Sequence, residues 1–289
     1  YNIFYNYIFF ISRLYYMNNM NNIYNTHNIK IYGAIGYTIL NQSCIFPNTE
    51  ILLIADMHDE PIKECSSKQI MIDDFLKIFL KKNYKIILEE IPSTKELVEI
   101  FPQSVHIKNL RKLYLDNQDK IIAVDIRLDL LDTTLLENSP LPITIHLITL
   151  FEFFMIKSNL FNNYILKSYY LKLLKKFRNL IKIYIKYLIK KSSDIDKNKL
   201  TEIIHSFDDL LVHIMDYYTI CKLYDILKEN KYNKIVINCG LYHVEQLEKN
   251  IIKYLKFNLK KTEGVTKIKD TKINNLNKTV NICIDYFDF

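Results

Sequence analysis

Four short stretches of the chain are apolar at nearly every position rather than at alternate positions. They are residues 50–55, 84–88, 120–124 and 234–238. Continuous apolar runs of this length predict strands that are buried on both faces, as in a parallel sheet. Apolar residues at helical spacing over 66–82 predict a covering helix, and Ser93 after Pro92 predicts the N-cap of a second helix that starts at Thr94.

The remaining segments complete the same plan. Residues 29–40 are typical of strands, with Gly33 and Gly36 as possible bulge points, and 279–285 predict a last strand. Helical periodicity continues through 140–230, which lacks Gly and Pro after Pro142 and breaks at 192–198. We therefore expect an α/β fold with a mostly parallel central sheet covered by helices, and an inserted all-helical cap between the third and fourth core strands.

This plan divides the chain into four parts. Residues 1–28 are expected to be a flexible lead-in, 29–138 the first part of the α/β core, 139–230 the helical insertion, and 231–289 the second part of the core. The apolar start of the chain is interrupted by Arg13 and is shorter than the roughly 20 residues of a bilayer span. It also lacks the features of a signal peptide. We therefore expect no transmembrane span and an intracellular, non-secreted protein.

The hydrophobic content and the cysteine spacing give information about the core and the redox environment. Hydrophobic residues make up 49% of the 289 residues, which is ample for a core. The five cysteines stand singly and form no CxxC pair. Their spacing matches neither a disulfide framework nor a zinc ribbon, so it indicates a reducing compartment.

The net charge of +7 is concentrated in the helical region. Residues 153–200 hold twelve Lys or Arg and two acidic residues, whereas the rest of the chain holds 27 basic and 30 acidic residues. The stretch that begins at Lys172 and ends at Lys191 has lysines near helical spacing opposite an apolar side. Three interpretations stay open: a solvated lysine face, a helix on a membrane surface, and a groove for nucleic acid.

Polar side chains follow each of the four apolar runs. In chain order they are Asp56 and His58, then Glu89 and Glu90, then Asp125 and Arg127, and last His243. Ligands bind at the carboxyl ends of the strands in parallel sheets. We therefore expect these side chains to converge on one edge of the sheet.

Such a set suits either of two kinds of chemistry. Two histidines and three carboxylates can hold a divalent metal cation that activates water. The ligands of that cation would be Asp56, His58, Glu89, Asp125 and His243. Alternatively, His58 or His243 acts as a general base without metal. Glu89 would then set the pKa of the base, and Arg127 would stabilise a developing oxyanion.

A later helix offers a further candidate group. Asp209, His213 and Asp216 are spaced i, i+4, i+7 and so share one helix face. That face either caps the site and adds a ligand or is an ordinary polar surface. No Walker loop, GxGxxG, HExxH or GxSxG is present, so nucleotide-binding, zincin and serine-hydrolase classes lose their usual support.

The segments 52–58, 87–90 and 238–243 resemble the motifs of the TraB/Tiki and erythromycin-esterase-like superfamily. That superfamily has a Gly-Glu-x-His-like motif after the first strand, a Glu after the second, and a late Gly-x-x-His. An uncharacterised family of large DNA viruses is more similar still. The positions that carry this second resemblance are Asp56, His58 and Cys65; Glu89, Glu90 and Pro92; Asp125 and Arg127; Met215, Asp216 and Tyr218; and Gly240 and His243.

The chain departs from these motifs at several positions. Ala55 stands where Gly is usual, and the bulky Leu241 and Tyr242 replace small residues before His243. The superfamily includes metal-dependent proteases, esterases that act without metal, and a haem-associated lipoprotein, so it selects no reaction. The resemblance implies a viral hydrolase in the host cytoplasm. The alternative is a catalytically inactive viral protein whose basic helical block binds a membrane, nucleic acid or a partner protein.

Overall fold

The computed structural model describes residues 29–56, 68–92, 105–127, 147–148, 150–152, 164–189, 197–274 and 283–289. The strands are β1 (Lys30–Tyr32), β2 (Ala34–Asn41), β3 (Glu50–Asp56), β4 (Gln69–Met71), β5 (Lys85–Leu88), β6 (Ile121–Ala123), β7 (Lys234–Gly240), β8 (Asn258–Gly264) and β9 (Cys283–Asp285). The helices are α1 (Ile72–Lys81), α2 (Val105–Asp116), α3 (Tyr164–Ile189), α4 (Lys197–Glu229), α5 (Leu241–Leu255) and α6 (Ile268–Asn274). The helix start predicted at Thr94 lies outside the described residues.

Six strands form the larger sheet, in the order β6-β5-β7-β3-β2-β8. β6, β5, β7 and β3 pair in parallel. β2 is antiparallel to both β3 and β8. The α/β class is confirmed, but the sheet is mixed. The four parallel strands are the four apolar runs, whereas β2 joins β3 through a short turn region, 42–49, and a short connection between neighbouring strands makes them antiparallel.

A second sheet of three strands has the order β4-β1-β9. β1 pairs in parallel with β4 and antiparallel with β9. The last strand expected at 279–285 is present from Cys283 and belongs to this sheet. β4 and β8 were not predicted, because β4 has only three residues and β8 is a polar edge strand with almost every side chain exposed.

Side chains of the parallel strands alternate between two hydrophobic clusters, as the two-residue period of a strand requires. The cluster shared with α3, α4 and α5 takes Ile51, Leu53, Ile87, Ile235 and Ile237. The cluster shared with α1 and α2 takes Leu52, Ile54, Ile86, Leu88 and Val236. Helices therefore cover both faces of the sheet, which explains why the runs are apolar without alternation.

The bulge expected at Gly36 is confirmed by a shift in the β2–β3 register between Ala34 and Gly36. Gly36 also faces Gly264 of β8. A Cβ on Gly36 would lie 2.4 Å from the carbonyl oxygen of Val265, so only glycine permits this approach. Gly264 has a φ of 72°, and a Cβ there would lie 2.5 Å from the carbonyl oxygen of Ile35.

The two longest helices, α3 and α4, pack against each other and against α5. Both helices lie between β6 and β7 in the chain, and their buried apolar side chains pack over one face of the sheet. These side chains include Leu173, Phe177, Leu180, Leu210, Ile214 and Tyr217. Among the helices of the described residues, none combines the length and apolar character needed to cross a bilayer.

One of the four described cysteines is not the free thiol that the sequence predicts. Cys44, Cys221 and Cys239 are free thiols. Cys283 is disulfide-bonded, which the single, unpatterned spacing of the cysteines did not predict. Burial raises the pKa of Cys239 well above its ordinary value, so this thiol is held neutral inside the core.

Candidate active site

The best-defined polar contact near the sheet edge joins two helices. His243 lies in the first turn of α5, directly after β7, and only 5% of the residue is exposed. Its Nδ1 lies 2.7 Å from Oδ1 of Asp216 on α4, which is fully buried. A carboxylate accepts but does not donate hydrogen bonds. Nδ1 therefore carries the proton, and in the neutral ring the lone pair is on Nε2.

Glu89 lies on the other side of the imidazole. It follows β5 and continues the alternation of Ile87, so it faces the α3–α5 side of the sheet. Oε1 of Glu89 lies 3.4 Å from Nε2 of His243. The backbone N–H of Gly240 donates to Oε2 of Glu89 over 2.7 Å. This bond uses the last residue of β7, so the parallel strands β5 and β7 fix the carboxylate opposite the histidine.

Arg127 completes the group at the end of β6. Its Nε and Nη2 donate to the two oxygens of Asp125, over 2.7 and 2.8 Å, and Nη2 also donates to Oε1 of Glu89 over 2.8 Å. Fork-shaped contacts of this kind fix a guanidinium firmly. Burial lowers the pKa of Arg127, but the two carboxylates outweigh burial and raise it, so the side chain stays cationic.

The acid–base behaviour of His243 is set by the two carboxylates that flank it. Burial lowers its pKa, but the charge of Glu89 and the bond to Asp216 outweigh burial and raise it above its ordinary value. Burial also raises the pKa of Asp216, and the bond to His243 offsets this only in part. His243 therefore keeps its second proton to higher pH than an ordinary histidine does. Nε2 becomes an available base only above a pH of about 6.5.

A second histidine extends the network toward the surface. His213 has Nε2 3.4 Å from Oδ1 of Asp209 and Nδ1 3.9 Å from Oδ2 of Asp216. Asp209 in turn accepts a bond from Lys176 of α3 over 2.7 Å. Burial and the charge of Lys176 lower the pKa of His213. The spacing of Asp209, His213 and Asp216 thus describes one helix face that turns toward His243.

Asp56 lies at the same edge of the sheet but on its other face. It continues the alternation of Leu52 and Ile54, whose side chains pack with α1 and α2. Asn238, which continues the alternation of Val236, donates to Oδ2 of Asp56 over 3.3 Å. Asp56 therefore lies at the expected edge of the sheet but on the face opposite to Glu89, because successive residues of a strand point to opposite faces.

Glu90 also turns to the α1–α2 face. Its Oε1 accepts a bond from Arg111 of α2 over 3.0 Å. The burial of Glu90 raises its pKa, while Arg111 opposes that shift. This pair fixes α2 to the end of β5 and lies apart from the histidine face.

The expected metal ligands are only partly placed. His58 and Cys65 lie outside the described residues. Within the described ranges, no group of three or more His, Cys, Asp and Glu side chains is arranged to hold a metal ion. Glu89 and Asp125 share the cation of Arg127 instead. The guanidinium occupies these carboxylates, and metal binding at this edge of the sheet stays a prediction.

Asp216 is the site residue that strand-end reasoning missed. It belongs to a helix that precedes β7, and the signals for it were the i, i+4, i+7 spacing with Asp209 and the resemblance to the viral family. Tyr242 lies beside His243 with 6.0 Å between ring centroids in an edge-on arrangement, and 37% of it is exposed. Tyr242 therefore forms part of the outer border of the site.

Comparisons of the chain with models of protein families, with curated proteins and with solved structures find no match. The resemblance to the TraB/Tiki and erythromycin-esterase-like superfamily therefore stays a prediction. The arrangement of Asp216, His243, Glu89 and Arg127 is the feature of the described chain that points to a chemical function.

Proposed function

We propose that the protein is a hydrolase in which His243 activates water for attack on an ester or amide carbonyl. The observation that carries the proposal is the buried 2.7 Å bond between Asp216 and Nδ1 of His243. This bond fixes the ring orientation and leaves Nε2 as the basic nitrogen. An aspartate that orients a histidine in this way is a recurrent arrangement in hydrolases built on unrelated folds.

Nε2 is placed opposite the second carboxylate, at 3.4 Å from Oε1 of Glu89. A water molecule that attacks a carbonyl carbon loses its proton to Nε2 as the new C–O bond forms. The resulting imidazolium lies between Asp216 and Glu89, both of which favour its charge. When the tetrahedral intermediate collapses, the proton passes from Nε2 to the departing alcohol or amine.

Arg127 supplies the positive group of the proposed site. Its side chain is 30% exposed, against 5% for Glu89. Nη1 of Arg127 makes no hydrogen bond or ion pair with the described part of the chain, so it can donate to the oxyanion of the intermediate. Asp125 holds the guanidinium in place through the two-pronged contact and acts as a positioning residue.

The helices α3 and α4 serve in this proposal as a cap over the carboxyl edge of the parallel strands. α4 supplies Asp216, while Glu89, Arg127 and His243 follow the carboxyl ends of β5, β6 and β7 in the chain. Such an edge is the usual ligand site of parallel sheets. The resemblance to the esterase-like superfamily agrees with this class of reaction, and a viral origin remains part of the same proposal.

The test is a screen of purified protein with chromogenic esters, anilides and phosphate esters, with and without a chelator and added Zn²⁺ or Mn²⁺. We expect ester or anilide hydrolysis that falls by about 10²–10⁴-fold in His243→Asn and in Asp216→Asn. His205→Asn is the matched control, because His205 is exposed on the same helix as Asp216.

The assay distinguishes three outcomes. Loss of hydrolysis in both site variants and full activity in His205→Asn supports the proposal. Hydrolysis that persists unchanged in His243→Asn contradicts it. Activity that disappears with the chelator and returns with metal supports the metal-dependent form of the site instead.

A further inference from the structure

A cavity of about 510 Å³ lies away from the candidate active site. Its apolar wall includes Ile45, Tyr164 and Leu171. Tyr254, near the end of α5, also lines it. At 1.5 Å per residue along α5, Tyr254 lies about 16 Å from His243. The cavity is therefore a separate feature at the other end of this helix.

Three lysines border this apolar cavity. They are Lys167 of α3, Lys253 in the last turn of α5, and Lys256 just after α5. All three are exposed, and none forms an ion pair with the residues that the structure describes. Lys256 adopts a left-handed conformation as the C-cap of α5. Uncompensated positive charges at the border of an apolar cavity indicate a ligand with an anionic head and an apolar body.

The outward face of α3 continues the same pattern. α3 contains seven Lys or Arg and no acidic residue, and within the described chain only Lys176 has an ion-pair partner. The exposed side of the helix alternates basic and apolar groups at helical spacing. Its apolar members and their exposed fractions are Tyr164 (90%), Leu171 (51%), Ile185 (47%) and Ile189 (78%).

We propose that this surface, formed by the cavity with its three lysines and the outward face of α3, docks the protein on an anionic lipid bilayer. Basic residues would contact the lipid headgroups, while Leu171 and its apolar neighbours enter the acyl boundary. The surface is separate from the proposed active site, since Asp216, His243, Glu89 and Arg127 do not belong to it.

The mixture of groups favours lipid over nucleic acid. A nucleic-acid groove combines basic residues with aromatic stacking platforms or polar contacts to bases. Here the exposed groups between the lysines are mainly aliphatic, and the cavity between them is lined by apolar side chains. Aliphatic side chains lose water favourably in an acyl layer but gain nothing from a phosphate backbone.

Co-sedimentation of the purified protein with vesicles tests the proposal. We expect the wild type to bind vesicles of equal parts phosphatidylcholine and phosphatidylserine, and not vesicles of phosphatidylcholine alone. The triple variant Lys167→Glu, Lys253→Glu, Lys256→Glu should lose about 100-fold or more in partition coefficient. Leu171→Ser should weaken binding that remains at high salt, because apolar insertion is not screened.

The matched control is Lys81→Glu, Lys82→Glu, Lys112→Glu. These exposed lysines lie at α1 and α2, on the other face of the sheet, and the change in net charge is the same. The control variant should retain more than half of the binding. Equal loss in both triple variants would show a non-specific charge effect and overturn the proposal. Absence of binding by the wild type would overturn it too, as would preference for double-stranded DNA over the anionic vesicles.

Discussion

Oδ1 of Asp216 and Nδ1 of His243 lie 2.7 Å apart, although 27 residues separate them in the chain. The bond connects the middle of α4 to the first turn of α5, and so connects the helical block to the edge where β7 ends. Both side chains are buried, and a low-dielectric surrounding strengthens a hydrogen bond between them. This relationship is what makes His243 a candidate base rather than an isolated histidine at a strand end.

Replacement of Arg127 by alanine should destabilise the fold. The substitution leaves Glu89 and Asp125 as neighbouring carboxylates without their shared cation, and both are largely buried. We expect a loss of about 1–3 kcal/mol in the free energy of unfolding, less than for a fully buried pair because Arg127 is partly exposed. Urea unfolding measures this loss.

The control for Arg127 is Lys249→Ala, which removes an exposed ion pair with Glu245 within α5. Exposed pairs of this kind contribute about 0.3–0.5 kcal/mol. Equal effects of the two substitutions would show that the Arg127 contacts are no more than surface pairs.

His213 should make the protein sensitive to acid. Its pKa is lowered in the folded state, so the folded protein binds this proton less readily than the unfolded chain. The stability concerned is fully present above a pH of about 6.5 and is lost as pH falls through the lowered pKa. We expect His213→Gln to gain stability relative to the wild type between pH 7 and pH 5.

Urea unfolding at the two pH values measures this gain. His205→Gln removes a histidine from an exposed position of the same helix and controls for a general effect of losing a ring. If the stability difference between the wild type and His213→Gln is the same at both pH values, the lowered pKa is contradicted.

Gly36 should not tolerate a side chain. In Gly36→Ala the new Cβ would lie 2.4 Å from a backbone oxygen, and backbone atoms cannot rotate away. We expect a loss of about 1–3 kcal/mol or more in the free energy of unfolding. Leu259→Ala, at a half-exposed position on β8, should cost less than about 1 kcal/mol. Wild-type stability in Gly36→Ala would show that β2 and β8 are not this close.

The four parallel strands could be predicted from the sequence because burial on both faces removes polar residues from them. The predicted and observed limits agree within two residues; for example, 50–55 was expected for β3 (Glu50–Asp56). Pairing between strands is a long-range property that no local pattern reveals. The antiparallel placement of β2 and the pairing of β8 with it therefore came only from the structure.

The candidate site was likewise predictable only in part. Hydrophobic runs located the strand ends, and this placed Glu89, Arg127 and His243 near one another. They did not give the face on which each side chain lies, so Asp56 was grouped with residues on the opposite face of the sheet. Asp216 was harder still to predict, since its partner is reached through the packing of α4 on α5 rather than through any spacing in the sequence.

Titration of His243 tests the proposed role of its two carboxylate neighbours, with NMR of the imidazole nitrogens as the measurement and His243→Asn for the assignment. We expect a pKa above about 6.5 in the wild type and a neutral ring protonated at Nδ1. The pKa should fall in Glu89→Gln, because a neighbouring negative charge is removed, and in Asp216→Asn. A wild-type pKa at or below about 6.5, or one that neither substitution changes, would show that the two carboxylates do not prepare His243 as a base.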